Sequence, residues 1–283
     1  MSATGDDLAP VRPVEVTRIS GAARTRLVDA AATEEPLDIR LHGKSFAVIM
    51  RTPGDDRALA AGFLLSERVI RSADDLGAVE HCRHPDRREA HHVVDVFLVG
   101  DAASRVPAML DARRNLVATS ACGVCGRATI DDLRQDIAPM PISWQVDVAL
   151  VQSLTGRLRA TQTSFDATGG LHGAAIFSRA GTLAAAAEDV GRHNAVDKVI
   201  GSLLLAGTAS LANDAADVLV VSGRVAFEIV QKAWLGRVPV IVAVSAPTTL
   251  AVDLARDAGI TLVGFARGDS LNIYTHPERI GSV

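Results

Sequence analysis

The sequence predicts an α/β protein: a C-terminal half built on a mixed, mostly parallel sheet covered by helices, and a smaller α+β N-terminal domain. Two observations carry that prediction. After residue 190, helix-like stretches ("RHNAVDKVIGSLLLAG", "RVAFEIVQKAWLG", "APTTLAVDLARDAG") alternate with strand-like ones ("DVLVVSG", "VPVIVAVS", "ITLVGFAR"), the rhythm of strands joined by crossover helices. The first half offers hairpin-like runs around single helices instead.

In chain order, residues 1–14 read as a disordered tail. "EPLDIRLHGKSFAVIMRTP" reads as a hairpin turning at "HGK", Asp55 as a helix cap, and "DRALAAGFLLSERVI" as a helix with apolar residues at helical spacing. "VEHCRHPDRREAHHVVDVFLV" reads as two strands around a charged loop; residues 101–115, containing Pro107, give no clear signal. "ATIDDLRQ" suggests a short helix behind a cysteine-bearing loop, and the prolines of "PMPISW" mark a boundary near residue 142. The expected domains are therefore 15–142, carrying that loop, and 143–283. Within the second, "VALVQSLTGRLRATQTSF" reads as an amphipathic helix ending at "TGG", and "HGAAIFS" and "TLAAAAEDV" as an antiparallel pair.

Composition narrows the function classes. A net charge of −4 gives no reason to expect non-specific binding to nucleic acid or an acidic membrane. Three cysteines in 283 residues are no disulfide framework and suit a reducing cytosol. The N-terminus lacks an apolar signal core, and apolar runs such as "VPVIVAVSAP" are too short to span a bilayer, so a soluble cytoplasmic protein is expected.

If the second strand of the pair runs parallel to the later strands, five segments arrive at one sheet edge: 168–173 ("TGGLHG"), 188–194 ("EDVGRHN"), 222–224 ("SGR"), 245–249 ("SAPTT") and 265–270 ("FARGDS"). Ligands of open α/β sheets bind at such an edge. Arg192, Arg224 and Arg267 offer planar donor forks for phosphates, and Ser222, Ser245 and Thr248 offer hydroxyls near helix starts. The pattern points to a large, phosphate-bearing ligand of nucleotide type. No GKS/T loop and no strand-linked GxGxxG appears, so neither ATP hydrolysis nor nicotinamide chemistry is indicated. His172 and His193 fall at the same edge. Asp189 and Asp197 read as orienting or capping groups, and Lys232 as part of a solvated helix face.

"NLVATSACGVCGRATIDDL" places Cys122 and Cys125 three residues apart among glycines. A structural zinc site needs a second ligand pair, and Cys82 among His81, His84, His91 and His92 is the only partner cluster. A dithiol switch fits a CxxC ahead of a helix, although the rest of a thioredoxin-like pattern is missing. A nucleophile fits too: a helix start near Arg127 and the arginine itself favour thiolate, while Gly123 and Gly126 leave the sulfur accessible. A purely structural pair is the fourth reading.

Taken together, "TSACGVCG", "GGLHGAAIF", "EDVGRHNAVDKVIG", "SGRVAFEIVQKA" and "APTTLAVDLARDAGITLVGFARGDSLNIYTHPERI", with the earlier "RTPGDDRALAAGFLLSERVI", resemble the FdhD/NarQ family of formate dehydrogenase accessory sulfurtransferases. The likeness runs in order from about residue 35 to the C-terminus. It implies a cytoplasmic sulfur carrier that takes sulfane sulfur from a cysteine desulfurase. The sulfur goes to the bis-molybdopterin guanine dinucleotide form of the molybdenum cofactor, for insertion into formate dehydrogenase. By the same resemblance Cys122 carries the persulfide, Cys125 is auxiliary, and Phe265, Ala266, Arg267, Gly268, Asp269 and Ser270 contact the guanine dinucleotide part. The resemblance also implies a homodimer and a cytidine deaminase-like C-terminal domain. Zinc deaminase chemistry is not expected, because His172 is followed by "GA" rather than by a glutamate, and "SGRVAF" stands where PCxxC would. Two other readings are a cofactor chaperone without sulfur chemistry and a CxxC redox protein.

Overall fold

The structure is a computed structural model that describes residues 9–82, 91–114, 138–207 and 216–281. It opens with a two-stranded ribbon, β1 (Val11–Ser20) and β2 (Ala23–Ala32), turning at Gly21 with φ 60°. Residues 11–14 thus lie in a strand rather than in the expected tail. A four-stranded sheet of order β4-β3-β6-β5 follows, from β3 (Glu35–Leu41), β4 (Lys44–Arg51), β5 (Leu76–His81) and β6 (Val93–Leu98). The β3–β4 hairpin turns at His42 and Gly43, both at positive φ, as its two-residue loop requires. Helix α1 (Asp56–Ser66) begins where expected, but Asp55 is itself left-handed (φ 56°) and its side chain makes no capping bond. Residues 100–114 form helix α2 (Gly100–Arg114), with Pro107 inside it.

After an irregular passage around residue 142, α3 (Val148–Arg159) starts on a capping carboxylate, with Asp147 accepting from the Ala149 and Leu150 N–H groups. The single long helix expected here is two, because the chain turns after Arg159 into α4 (Thr163–Thr168), which ends on left-handed Gly169. A six-stranded sheet of order β12-β11-β10-β9-β7-β8 is the centre of the molecule. Its strands are β7 (His172–Phe177), β8 (Leu183–Asp189), β9 (Val218–Val221), β10 (Val240–Ala243), β11 (Thr261–Arg267) and β12 (Ser270–Thr275). The connecting helices are α5 (Arg192–Leu205), α6 (Phe227–Leu235) and α7 (Thr249–Asp257).

Strands β9, β10 and β11 are parallel, and β7 runs antiparallel to both β9 and β8, so β8 points with the later strands as expected. The sheet is mixed as expected, with β8, β9, β10 and β11 pointing one way and β7 and β12 the other, although only the β9–β10 and β10–β11 pairings are parallel. Strand β12, unforeseen, closes the far edge as an antiparallel partner of β11. Helix α3 covers one face, packing Val151, Leu154 and Leu158 on Val218, Val220 and Val242. On the other face, Val199, Ile229 and Leu254 pack on Leu219 and Ile241, in a buried cluster that continues into Leu37, Ile39, Leu59 and Val94. One core therefore spans both halves of the chain.

Its centre is the crossing of α1 on α5. A Cβ on Gly62 would stand 2.0 Å from the Asp197 carbonyl oxygen, and one on Gly201 would stand 1.8 Å from that of Ala58. Only glycine lets the two backbones approach so closely. Among the described residues, no helix is long and apolar enough to cross a membrane.

Candidate ligand-binding edge

The five expected segments do meet at one edge of the six-stranded sheet. His172, the first residue of β7, pairs with Asp189, the last of β8; Ala174 pairs with Val221 at the end of β9, and Val221 with Ala243 at the end of β10. Phe265 joins them through its N–H, which donates to the Ser245 carbonyl at 3.2 Å.

Two buried ion pairs hold this edge to the N-terminal half. Asp189, fully buried, accepts from Lys198 Nζ at 2.9 Å, from the Gly191 and Thr52 N–H groups, and from Asn194 Nδ2. Lys198 also donates to the Thr52 carbonyl at 2.9 Å. At the residue of α5 just before Lys198, both Asp197 oxygens accept from Lys232 Nζ at 2.7 Å, and Ser66 Oγ lies 2.7 Å from Asp197 Oδ1. Burial raises the Asp197 carboxyl pKa, against the pull of Lys232 and Ser66. Lys232 is thus a buried partner of Asp197, not a member of a solvated face. Its position on α6 faces α1 and α5 rather than water, which spacing within one helix does not reveal.

Two of the three expected ligand-binding hydroxyls are taken up by the fold. Ser222 is committed to the fold: its N–H donates to the Gly173 carbonyl at 3.0 Å and its Oγ accepts from the Gly173 N–H at 2.9 Å. Thr248 caps α7 by accepting from the Ala251 N–H. The starts of α5 and α6, at Gly191 and Ala226, carry no side-chain cap, so their first N–H groups remain at the edge.

The arginines divide. Arg224 is exposed; Arg192 is half-buried beside His172, and a Cβ on Gly223 would stand 3.4 Å from His172 Nδ1 and 3.7 Å from Arg192 Cδ. Arg267 is exposed, with Nε donating to the Val244 carbonyl at 3.1 Å and the rest of its fork uncommitted to that bond. Both histidines are driven toward the neutral form. Burial and then Arg192 lower the His172 pKa against Asp189, while burial, Lys232, Arg192 and His172 lower His193 to about 4.

Phe265–Ser270 is a strand end and hairpin turn rather than a strand-to-helix loop. The register slips between Gly264 and Arg267, Phe265 sits at φ 51° with 40% of its surface exposed, Ala266 is buried, and Gly268 turns at φ 58°. Gln152 Nε2 donates to the Asp269 carbonyl at 2.6 Å, fixing the turn to α3. The segment carries an exposed aromatic ring and an exposed guanidinium two residues apart. Cys122, Cys125 and Arg127 lie outside the described residues, as does His84. His81 ends β5 and Cys82 follows it, and among the described residues no group of three or more His, Cys, Asp or Glu is placed to hold a metal ion.

A family model described as "FdhD/NarQ family" matches residues 32–281. Among curated relatives, a protein of Anaeromyxobacter dehalogenans is 47% identical over 269 residues, covering 94% of this chain and 92% of its own length. One of Streptomyces avermitilis is 46% identical over 275 residues, covering 94% of each. One of Saccharolobus solfataricus is 41% identical over 276 residues, covering 95% of this chain and 98% of its own length. All three are named "Sulfur carrier protein FdhD". A crystal structure from Desulfotalea psychrophila, of a protein described as a candidate formate dehydrogenase accessory protein, superposes with a TM-score of 0.75 at 24% identity. It covers 96% of this chain and 100% of that one, and at this identity the likeness is one of fold.

Proposed function

Because the chain belongs to the FdhD/NarQ family, we propose that it is a sulfur carrier serving formate dehydrogenase maturation in the cytoplasm, with Cys122 as its persulfide-bearing residue. The Cys122 thiolate attacks the outer sulfur of a cysteine desulfurase persulfide. One sulfur–sulfur bond forms as the donor's breaks, the donor leaves as thiolate, and no outside oxidant or reductant is needed. The acceptor of that sulfur is the bis-molybdopterin guanine dinucleotide form of the molybdenum cofactor, held here as a substrate.

The observation that carries the docking part is that Phe265 and Arg267, both exposed, stand in one short segment at the edge where the strand ends converge. A ring free to stack on a purine and a fork free to meet phosphate are the two contacts a guanine nucleotide requires. The uncapped starts of α5 and α6 add N–H groups for further phosphate oxygens. Anchoring the remote nucleotides brings the cofactor's reacting centre within reach of a sulfur-bearing group. The C-terminal half is read as cytidine deaminase-like, supported by the hairpin β7–β8 set ahead of parallel β9–β11. The deaminase ligand motif is missing from His172-Gly-Ala, so the architecture serves binding rather than deamination.

Incubating the protein with a cysteine desulfurase and cysteine, then measuring intact mass, tests the carrier role. One added sulfur on the wild type and none on Cys122→Ala is expected. A wild type that gains no sulfur overturns the carrier reading in favour of a cofactor chaperone.

A further inference from the structure

Three buried side-chain atoms without a hydrogen-bond partner gather behind the edge: Arg192 Nε, His193 Nε2 and Glu228 Oε2. Buried polar atoms are almost always paired, so three in one corner mark an incomplete arrangement. His193 Nε2 and Glu228 Oε2 are 4.0 Å apart, too far for a direct hydrogen bond, yet a small rotation from an ion pair at 2.7–2.9 Å, the usual range for such contacts. They border a cavity of about 90 Å³ lined also by Phe63, Asn194, Gln231 and Lys232, which leaves room for that movement.

The groups around the imidazole are Arg192 and Asp197 on α5, Glu228 and Lys232 on α6, His172 on β7, and Glu67 just past α1. Asp197 is taken by Lys232 and Ser66. Burial first, and then the positive charges of Lys232 and Arg192, hold His193 toward its neutral form, so it does not pair with Glu228 as a cation. Of these, Arg192 also belongs to the ligand edge, beside His172 and Gly223.

We propose that ligand docking and proton uptake are coupled here: a phosphate-bearing ligand that neutralises Arg192 lets His193 take one proton from solvent and close on Glu228 as an ion pair. No covalent bond changes; the ligand's negative charge replaces the repulsion that excluded the proton. Burial, then Lys232, then Arg192 hold the free imidazole to a pKa of about 4; neutralising Arg192 raises it part of the way, and closing on Glu228 favours the charged form further. By linkage, affinity for the ligand then rises as pH falls through the window between the free and the bound pKa. The coupling rests on the nucleotide-binding reading of the edge and specifies how that site is regulated.

Titration calorimetry of the full chain with GDP, near pH 6 in two buffers of different ionisation enthalpy, counts the protons taken up. The probe's own phosphate titration is common to every variant and cancels in the difference. Wild type is expected to take up measurably more protons per GDP than His193→Gln or Glu228→Gln, because only the wild type holds both members of the pair that a proton completes. Binding of GDP with equal proton counts in all three overturns the coupling alone. Absence of GDP binding in every protein, wild type included, overturns the nucleotide-site reading beneath it.

Discussion

At Phe265 a bulky side chain is kept both in the left-handed region and in solvent. The first costs about 1–2 kcal/mol for a non-glycine residue, and the second forgoes the burial that an aromatic ring normally gains. Neighbouring contacts enforce the conformation: the Phe265 N–H is tied to Ser245, and a Cβ on Gly264 would stand 2.9 Å from Pro247 Cδ. Replacement by asparagine, which tolerates this region, removes the ring while keeping the turn. Phe265→Asn should melt no lower than wild type and bind GDP roughly 5- to 150-fold more weakly, since one base–aromatic stack is worth about 1–3 kcal/mol. Equal affinity by calorimetry removes Phe265 from the site. Lys232 poses the opposite case, a charge whose role is internal. Lys232→Met strands the Asp197 carboxylate without its partner and should lower unfolding free energy in urea by about 3–5 kcal/mol. Adding Asp197→Leu to it should restore much of the loss; no recovery would show that the methionine itself misfits.

The crossing of α1 and α5 depends on two missing side chains. In a helix exposed to solvent, glycine to alanine gains roughly 1 kcal/mol through propensity. Here Gly201→Ala places a methyl group against the Ala58 carbonyl, so the sign should reverse, with a loss of about 1–3 kcal/mol or more from overpacking, measured by denaturant unfolding. A stabilised Gly201→Ala would mean that the helices part without cost. The sequence showed these helices but not their contact, because glycine in a helix carries no mark of what approaches it. The same distinction runs through the fold. Helices α5–α7 were legible because each buries one apolar face, which leaves a period in the residues, and strands β9–β11 because they are short continuous apolar runs buried on both faces. The β1–β2 ribbon was not, because most of its residues are exposed on both faces and Val14, Ile19 and Val28 keep no one side. Helix α2 was hidden by Pro107 and by its weak apolar pattern. At the candidate site the converging segments were read correctly from chain direction alone. The commitment of Ser222 to Gly173 and of Thr248 to the α7 cap was hidden, since a hydroxyl at a turn looks the same whether it serves backbone or ligand.

Across the whole molecule, folding takes His193 from a free histidine to one buried among positive charges, and this sets part of the pH dependence of stability. Its folded pKa of about 4 lies below the ordinary 6.5, so between those values the unfolded chain binds a proton that the folded chain refuses. Stability is therefore lost as pH falls through 6.5 and levels off below about 4; at neutral pH, where both states are neutral, this residue contributes no pH dependence. The full linkage is at most about 3 kcal/mol, and partial solvent access reduces it. His172, shifted in the same direction by burial and Arg192, adds to the effect. Urea denaturation of wild type and His193→Gln from pH 7.5 to 4.5 should give curves that converge toward the acid end relative to their separation at pH 7.5 if glutamine is the less stable replacement. If glutamine is neutral at pH 7.5, the variant should instead become the more stable of the two below pH 6. In either case the variant's loss on acidification is the smaller. Parallel curves would show that the imidazole titrates alike in both states, and that the charges around it do not exclude its proton. Bound GDP should shrink this acid sensitivity in wild type further than in His193→Gln, because a ligand that neutralises Arg192 returns the folded pKa toward the unfolded one and reduces the difference that drives the loss.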